Sequence, residues 1–171
     1  MKTSSLTKGG LLSGLGFILT YLSTILPTNK MFVLILASCL IPLTILLTNS
    51  KTGFIVYITT SLLNILLIGF KGQVFLYIIF FGLYGIVKLL IEKLRKMYLE
   101  IILKLSFLNI CLFITYFLYK TLFINININK FPIDSNKAIP IFLIICQIIF
   151  LVYDYAITLF IATINKKLKH I

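Results

Sequence analysis

Asp154 is the residue of this 171-residue sequence whose chemistry most demands an explanation, because it is the only acid well inside an apolar run. A charge placed in such a run costs about 2.5–3.5 kcal/mol on membrane-insertion scales, so it normally faces other protein groups and has a partner. At helical spacing around it stand Gln147 and Thr158, with Asn165 further along, and Tyr153 and Tyr155 flank it. Lys88 and Lys104 lie toward the same side of neighbouring apolar runs, and their stems are long enough to snorkel to the carboxylate. Two kinds of chemistry fit this set. One is an Asp–Lys bridge that locks three helices together. The other is a ligand or ion site built around Asp154.

Further polar groups line up inside other apolar runs. Tyr57, Ser61 and Asn64 share one helical face; Tyr77, Tyr84 and Lys88 share another, with Gly82 and Gly85 beside them. Ser106, Asn109 and Tyr116 align on a third, with Lys120 one turn beyond. Each face supports interhelical hydrogen bonds. If the faces converge, they make a pocket for a small molecule. Catalysis has little to draw on. His170 is the only histidine and is the penultimate residue, and no zinc, P-loop or nucleophile-elbow motif is present. Cys39, Cys111 and Cys146 are far apart and lack a histidine partner, which fits small buried hydrophobes better than nucleophiles. The sequence therefore predicts neither an enzyme nor a cofactor.

These residues must be positioned by membrane helices. The chain is 60% hydrophobic and 12% charged, against roughly 45–50% and about 25% for a globular domain. A helix of about 20 apolar residues crosses a bilayer. Six candidate spans follow, from about Gly9 to Leu26, Met31 to Thr48, Gly53 to Phe70, Gln73 to Ile91, Ile101 to Phe123 and Ile139 to Ile164. The breaks hold Lys, Asn, Gly or Pro, as expected where a helix leaves the membrane, and Pro42 is expected to kink the second span. The apolar runs are continuous, which excludes the alternation of a membrane β-barrel. One short alternating stretch, Ile124 to Asn129, reads as a loop. The expected fold is a single all-α, polytopic bundle of about six transmembrane helices.

Charge orients the bundle. With a cytoplasmic N-terminus, the 16 basic residues divide 11 inside to 5 outside, so the positive-inside rule places both termini in the cytoplasm. The first span resembles a signal peptide in its leading Lys2 and Lys8, but it lacks an A-x-A-like cleavage site and reads as an uncleaved helix. The net charge of +12 sits at span ends, where it meets anionic lipid headgroups, and calls for no nucleic acid. Fifteen lysines to one arginine, with abundant Ile and Asn, suggest an AT-rich bacterial genome, and helical spans without a cleaved signal then suggest the inner membrane.

The first span carries Gly9, Ser13, Gly16, Thr20 and Ser23 at steps of four, three, four and three, a continuous stripe of small residues, with Gly10 and Gly14 forming a G-x-x-x-G beside it. Small residues let helix backbones approach closely in lipid. The stripe must face protein, either the chain's own bundle, a separate membrane partner, or both.

In length, helix number, basic loop after the fourth span and small-residue first helix, the chain resembles the S component of energy-coupling-factor (ECF) transporters, the substrate-binding subunit. Those proteins dock on a shared membrane coupling subunit through an Ala-x-x-x-Ala-type motif on the first helix. The corresponding stretch here is Thr7-Lys8-Gly9-Gly10-Leu11-Leu12-Ser13-Gly14-Leu15-Gly16, in which Gly10 and Gly14 stand for the alanines. The resemblance implies capture of a vitamin-like solute or metal ion from outside by the outer halves of the fourth to sixth helices and the first outer loop. It further implies toppling of the subunit on its partner, driven by separate ATPases. The candidate solute-binding residues are then Gln147, Tyr116, Tyr77 and Lys30, with Asn109 and Asp154 deeper in the bundle. A rival with similar size and layout is the MreD-like scaffold of cell-wall elongation, which binds partners and no solute.

Overall fold

The computed structural model describes residues 3–94, 96–122 and 135–168. These residues form six long helices and no strand. They are α1 (Thr3–Ile25), α2 (Lys30–Leu47), α3 (Ser50–Ile68), α4 (Gly72–Glu92), α5 (Met97–Leu122) and α6 (Ser135–Leu168). In hydrocarbon every backbone polar group needs a partner within the chain, and a helix supplies it locally. Five of the six, α2 to α6, are long and apolar enough to cross a membrane. The exception, α1, is diluted by Thr, Ser, Gly and Lys8. With 34 residues α6 is about 51 Å long, well beyond a hydrocarbon core of about 30 Å, and it ends in the basic Lys166 and Lys167. The expected all-α membrane bundle is the one observed. The alternating stretch from Ile124 to Asn129 lies outside the described residues, as do Lys2, Arg95, Lys169 and His170.

Short turns make neighbouring helices antiparallel. Asn29 adopts a left-handed backbone (φ 62°) in the turn into α2, a conformation that Asn tolerates better than most residues. Gly69, between α3 and α4, also has a positive φ (81°), with an extended ψ that a side chain would strain.

The core lies around α2 and α4. Leu34, Ala37 and Ile41 of α2 meet Tyr77, Phe81 and Tyr84 of α4, Leu108 of α5, and Phe150, Tyr153 and Ile157 of α6. α2 continues through the fully buried Pro42, and a Cβ added at Gly85 of α4 would stand 2.8 Å from the Pro42 ring. Glycine is therefore what lets these two helices touch. α1 packs on α2 and α3. By contrast α5 and α6 leave most of their apolar surface exposed, which suits helices that face lipid.

Two helices carry a π turn. One closes α3 at Asn64–Ile68 and the other interrupts α4 at Tyr77–Phe81. A π turn carries one extra residue and releases backbone carbonyls from the regular ladder. In α4 the carbonyls of Ile78 and Ile79 accept from the Tyr57 hydroxyl (2.9 Å) and the Cys111 thiol (3.3 Å), which ties α3 and α5 to α4.

Candidate functional site

Asp154 sits where α4, α5 and α6 meet. One carboxylate oxygen, Oδ1, accepts from the Tyr84 hydroxyl at 2.5 Å and forms an ion pair with the Lys88 ammonium. The other, Oδ2, pairs with Lys104 at 2.9 Å. Lys88 also reaches Glu92 Oε1 at 2.9 Å and Thr158 Oγ1 at 2.8 Å. Lys104 meets the same Glu92 oxygen at 3.3 Å. The Lys88 side chain is 0% exposed and that of Lys104 8%, so neither ammonium can rely on solvent. Every proton of Lys88 has an acceptor, as a buried ammonium requires. Two lysines and two carboxylates cancel in charge.

Local sequence builds this cluster. Tyr84, Lys88 and Glu92 are spaced i, i+4, i+8 and share one face of α4. Asp154 and Thr158 repeat the spacing on α6, where the Thr158 hydroxyl donates to the Asp154 carbonyl at 2.9 Å. Aromatic rings cover the flank. Tyr84 packs edge-on against Phe150 (centroids 5.1 Å apart) and lies 5.4 Å from Tyr153, whose hydroxyl donates to Ser38 Oγ at 2.8 Å. Beside Glu92 a groove of about 400 Å3, lined by Ile45, Ser50, Leu89, Glu92 and Lys93, opens at the end of the bundle. Donors from α4 (Tyr84 and Lys88) and α5 (Lys104) converge on the Asp154 carboxylate of α6, so the cluster ties three helices together. The sequence placed Lys88 and Lys104 near Asp154, and the structure brings them together. Glu92 was missed as a member, although its i, i+4 spacing from Lys88 was a readable signal.

The other candidate residues do not gather around Asp154. Tyr77 is buried within the bundle, and Gln147 is half-exposed on α6. Asn109 is exposed and Tyr116 is 61% exposed, both on the outer side of α5, because Lys104, Leu108 and Cys111 take its inner side. Lys30 is half-exposed at the start of α2. The aligned face of α5 therefore points away from the bundle, and α5 contributes no polar wall to an interior pocket through Ser106, Asn109 or Tyr116.

The two small-residue faces of α1 separate cleanly. Gly9, Ser13, Gly16, Thr20 and Ser23 are buried. A Cβ added at Gly9 would lie 3.1 Å from Thr52 Cγ2, and one at Gly16 would lie 3.2 Å from Thr60 Cγ2, so this stripe seats α1 on α3. The Thr60 hydroxyl reaches the Ser13 carbonyl across that contact at 3.5 Å. Gly10, exposed, and Gly14, half-buried, lie beside that stripe, and a Cβ added at either would have no atom of another helix within 4 Å. No family model matches the sequence, and neither a curated protein nor a solved structure matches it.

Proposed function

We propose that this multi-pass membrane protein is the solute-binding subunit of an ECF-type uptake complex, seated in a bacterial inner membrane with both termini in the cytoplasm. The observation that carries the reading is the open Gly10–Gly14 face of α1. Its sister stripe is consumed by packing on α3, whereas a Cβ added at Gly10 or at the half-buried Gly14 would meet open space. Paired glycines four residues apart let another helix backbone approach closely, and in lipid such packing is what drives association. The resemblance of this segment to the docking motif of S components supplies the partner, a membrane coupling subunit with its ATPases. The neutral ion cluster supports the same reading. It holds α4, α5 and α6 as one rigid body, which a subunit that reorients on its partner requires.

A second reading is favoured by one observation. Asn109 and Tyr116 face outward, so the solute pocket expected between α4, α5 and α6 is not assembled from them. A wall-elongation scaffold of the MreD type needs no such pocket. The two readings separate in a thermal-shift screen of detergent-purified protein against water-soluble vitamins and transition-metal ions. A ligand that binds only the folded state raises its melting temperature by mass action. Reproducible stabilisation by one compound is the expected result. A flat screen on folded protein transfers the assignment to the scaffold.

A further inference from the structure

We infer that the outward face of α5 is the seam of a two-fold homodimer, in which Asn109 pairs with Asn109 of a second copy at the middle of the membrane. Ile102, Ser106, Asn109, Phe113 and Tyr116 follow one another at steps of four, three, four and three. All five are exposed, so they form one unpartnered line along the helix. That rhythm is the seam of two helices packed side by side at a shallow angle. Asn109 stands half-way along the 26-residue α5, which puts it near the middle of the bilayer. Among the described residues, the side-chain bonds from α5 to other helices come from Lys104 and Cys111, on its opposite side. Those bonds fix the rotation of α5 and hold Asn109 outward. Lipid there offers a carboxamide neither a donor nor an acceptor.

The occupant follows from depth and from hydrogen-bonding type. The bias of basic residues gives every copy the same orientation, so a two-fold axis along the membrane normal brings each residue level with itself. A partner for Asn109 must present a donor and an acceptor at mid-membrane depth, and a second Asn109 presents both. Ser106 and Tyr116 are also donor and acceptor at once, and no seam residue carries a charge that would oppose its own copy. In coiled coils a single Asn among apolar seam residues fixes register and strand number, and in lipid such side chains bond across helices. The seam leaves α1 free, because α1 packs on α2 and α3 whereas α5 packs on α4 and α6. The α5 dimer is therefore independent of docking through Gly10 and Gly14.

The test uses the purified full chain in phosphatidylcholine vesicles, with Cys39, Cys111 and Cys146 replaced by Ser. Dimerisation is read by energy transfer between donor- and acceptor-labelled copies carrying Lys93→Cys, over a range of protein-to-lipid ratios. Asn109→Leu is expected to weaken the dimer about tenfold, while Asn109→Gln keeps most of it. Because Asn109 is exposed, Asn109→Leu is expected to leave the melting temperature unchanged. Contact is read by copper-phenanthroline oxidation. Phe113→Cys, on the seam, is expected to form a disulfide-linked dimer, and Ile114→Cys, about 100° further round the helix, is not. The proposal is overturned if the unsubstituted seam gives no energy transfer at any ratio, or if Asn109→Leu dimerises as strongly. It is also overturned if Ile114→Cys cross-links in place of Phe113→Cys, or if Asn109→Leu lowers the melting temperature, which would place the carboxamide inside the fold. Gly10→Leu/Gly14→Leu is expected to leave the energy transfer intact; its loss would move the dimer to α1 and overturn the α5 seam.

Discussion

Asp154 shows how a residue that is costly alone becomes structural when its surroundings are complete. Removing it leaves two ammonium groups facing Glu92 alone, one of them fully buried. Asp154→Leu is therefore expected to destabilise the protein by about 3–5 kcal/mol, the range for breaking a buried ion pair from one side, seen as a large fall in melting temperature. Adding Lys88→Leu leaves Lys104 opposite Glu92, a neutral pair. The double variant is expected to recover part of the loss and to melt above Asp154→Leu. A double variant less stable than both singles would show that charge balance is not what the cluster provides. Tyr84→Phe removes one donor from Oδ1 and is expected to cost less, about 1.5–3 kcal/mol. Much of this was legible in the sequence, because Lys88 and Lys104 lie further toward the side of the bundle that Asp154 favours, within snorkelling reach of its carboxylate. Glu92 was obscured by its place beside the basic residues that follow α4.

At the scale of the helix, α1 carries two small-residue faces with opposite fates, and substitution separates them. Gly16→Val drives a branched side chain into Thr60 and is expected to cost about 1–3 kcal/mol by pushing α1 off α3. Gly10→Leu meets open space, so the melting temperature should hold while association with a partner is lost. Equal destabilisation by both would place Gly10 inside the fold. The sequence showed both faces but not which one turned inward, since that depends on where Thr52 and Thr60 of α3 come to rest. The rotation of α5 was likewise hidden. Apolar residues surround that helix at every angle, so its periodicity names no inner side, and Lys104 and Cys111 set it only through contacts with α4 and α6. The π turns were hidden as well, because an extra residue in one turn reflects packing between helices and leaves no mark in composition.

For the whole molecule, the continuous apolar runs made the helix number and the membrane bundle readable, and five membrane-length helices plus the small-residue α1 realise them. Orientation has its own check. With the native cysteines replaced by Ser, a membrane-impermeant maleimide should label Lys71→Cys in intact cells and spare Lys93→Cys until the cells are opened. Labelling in the reverse order would invert the bundle. Function at this scale rests on whether α1 docks. The most direct measurement is purification of the tagged full chain from its native membrane, wild type beside Gly10→Leu/Gly14→Leu, with the co-purifying subunits identified by mass. The expected result is a membrane coupling subunit with its ATPases retained by the wild type and lost from the equally stable variant. Retention of those subunits by the variant, or recovery of wall-synthesis proteins in their place, would contradict the account.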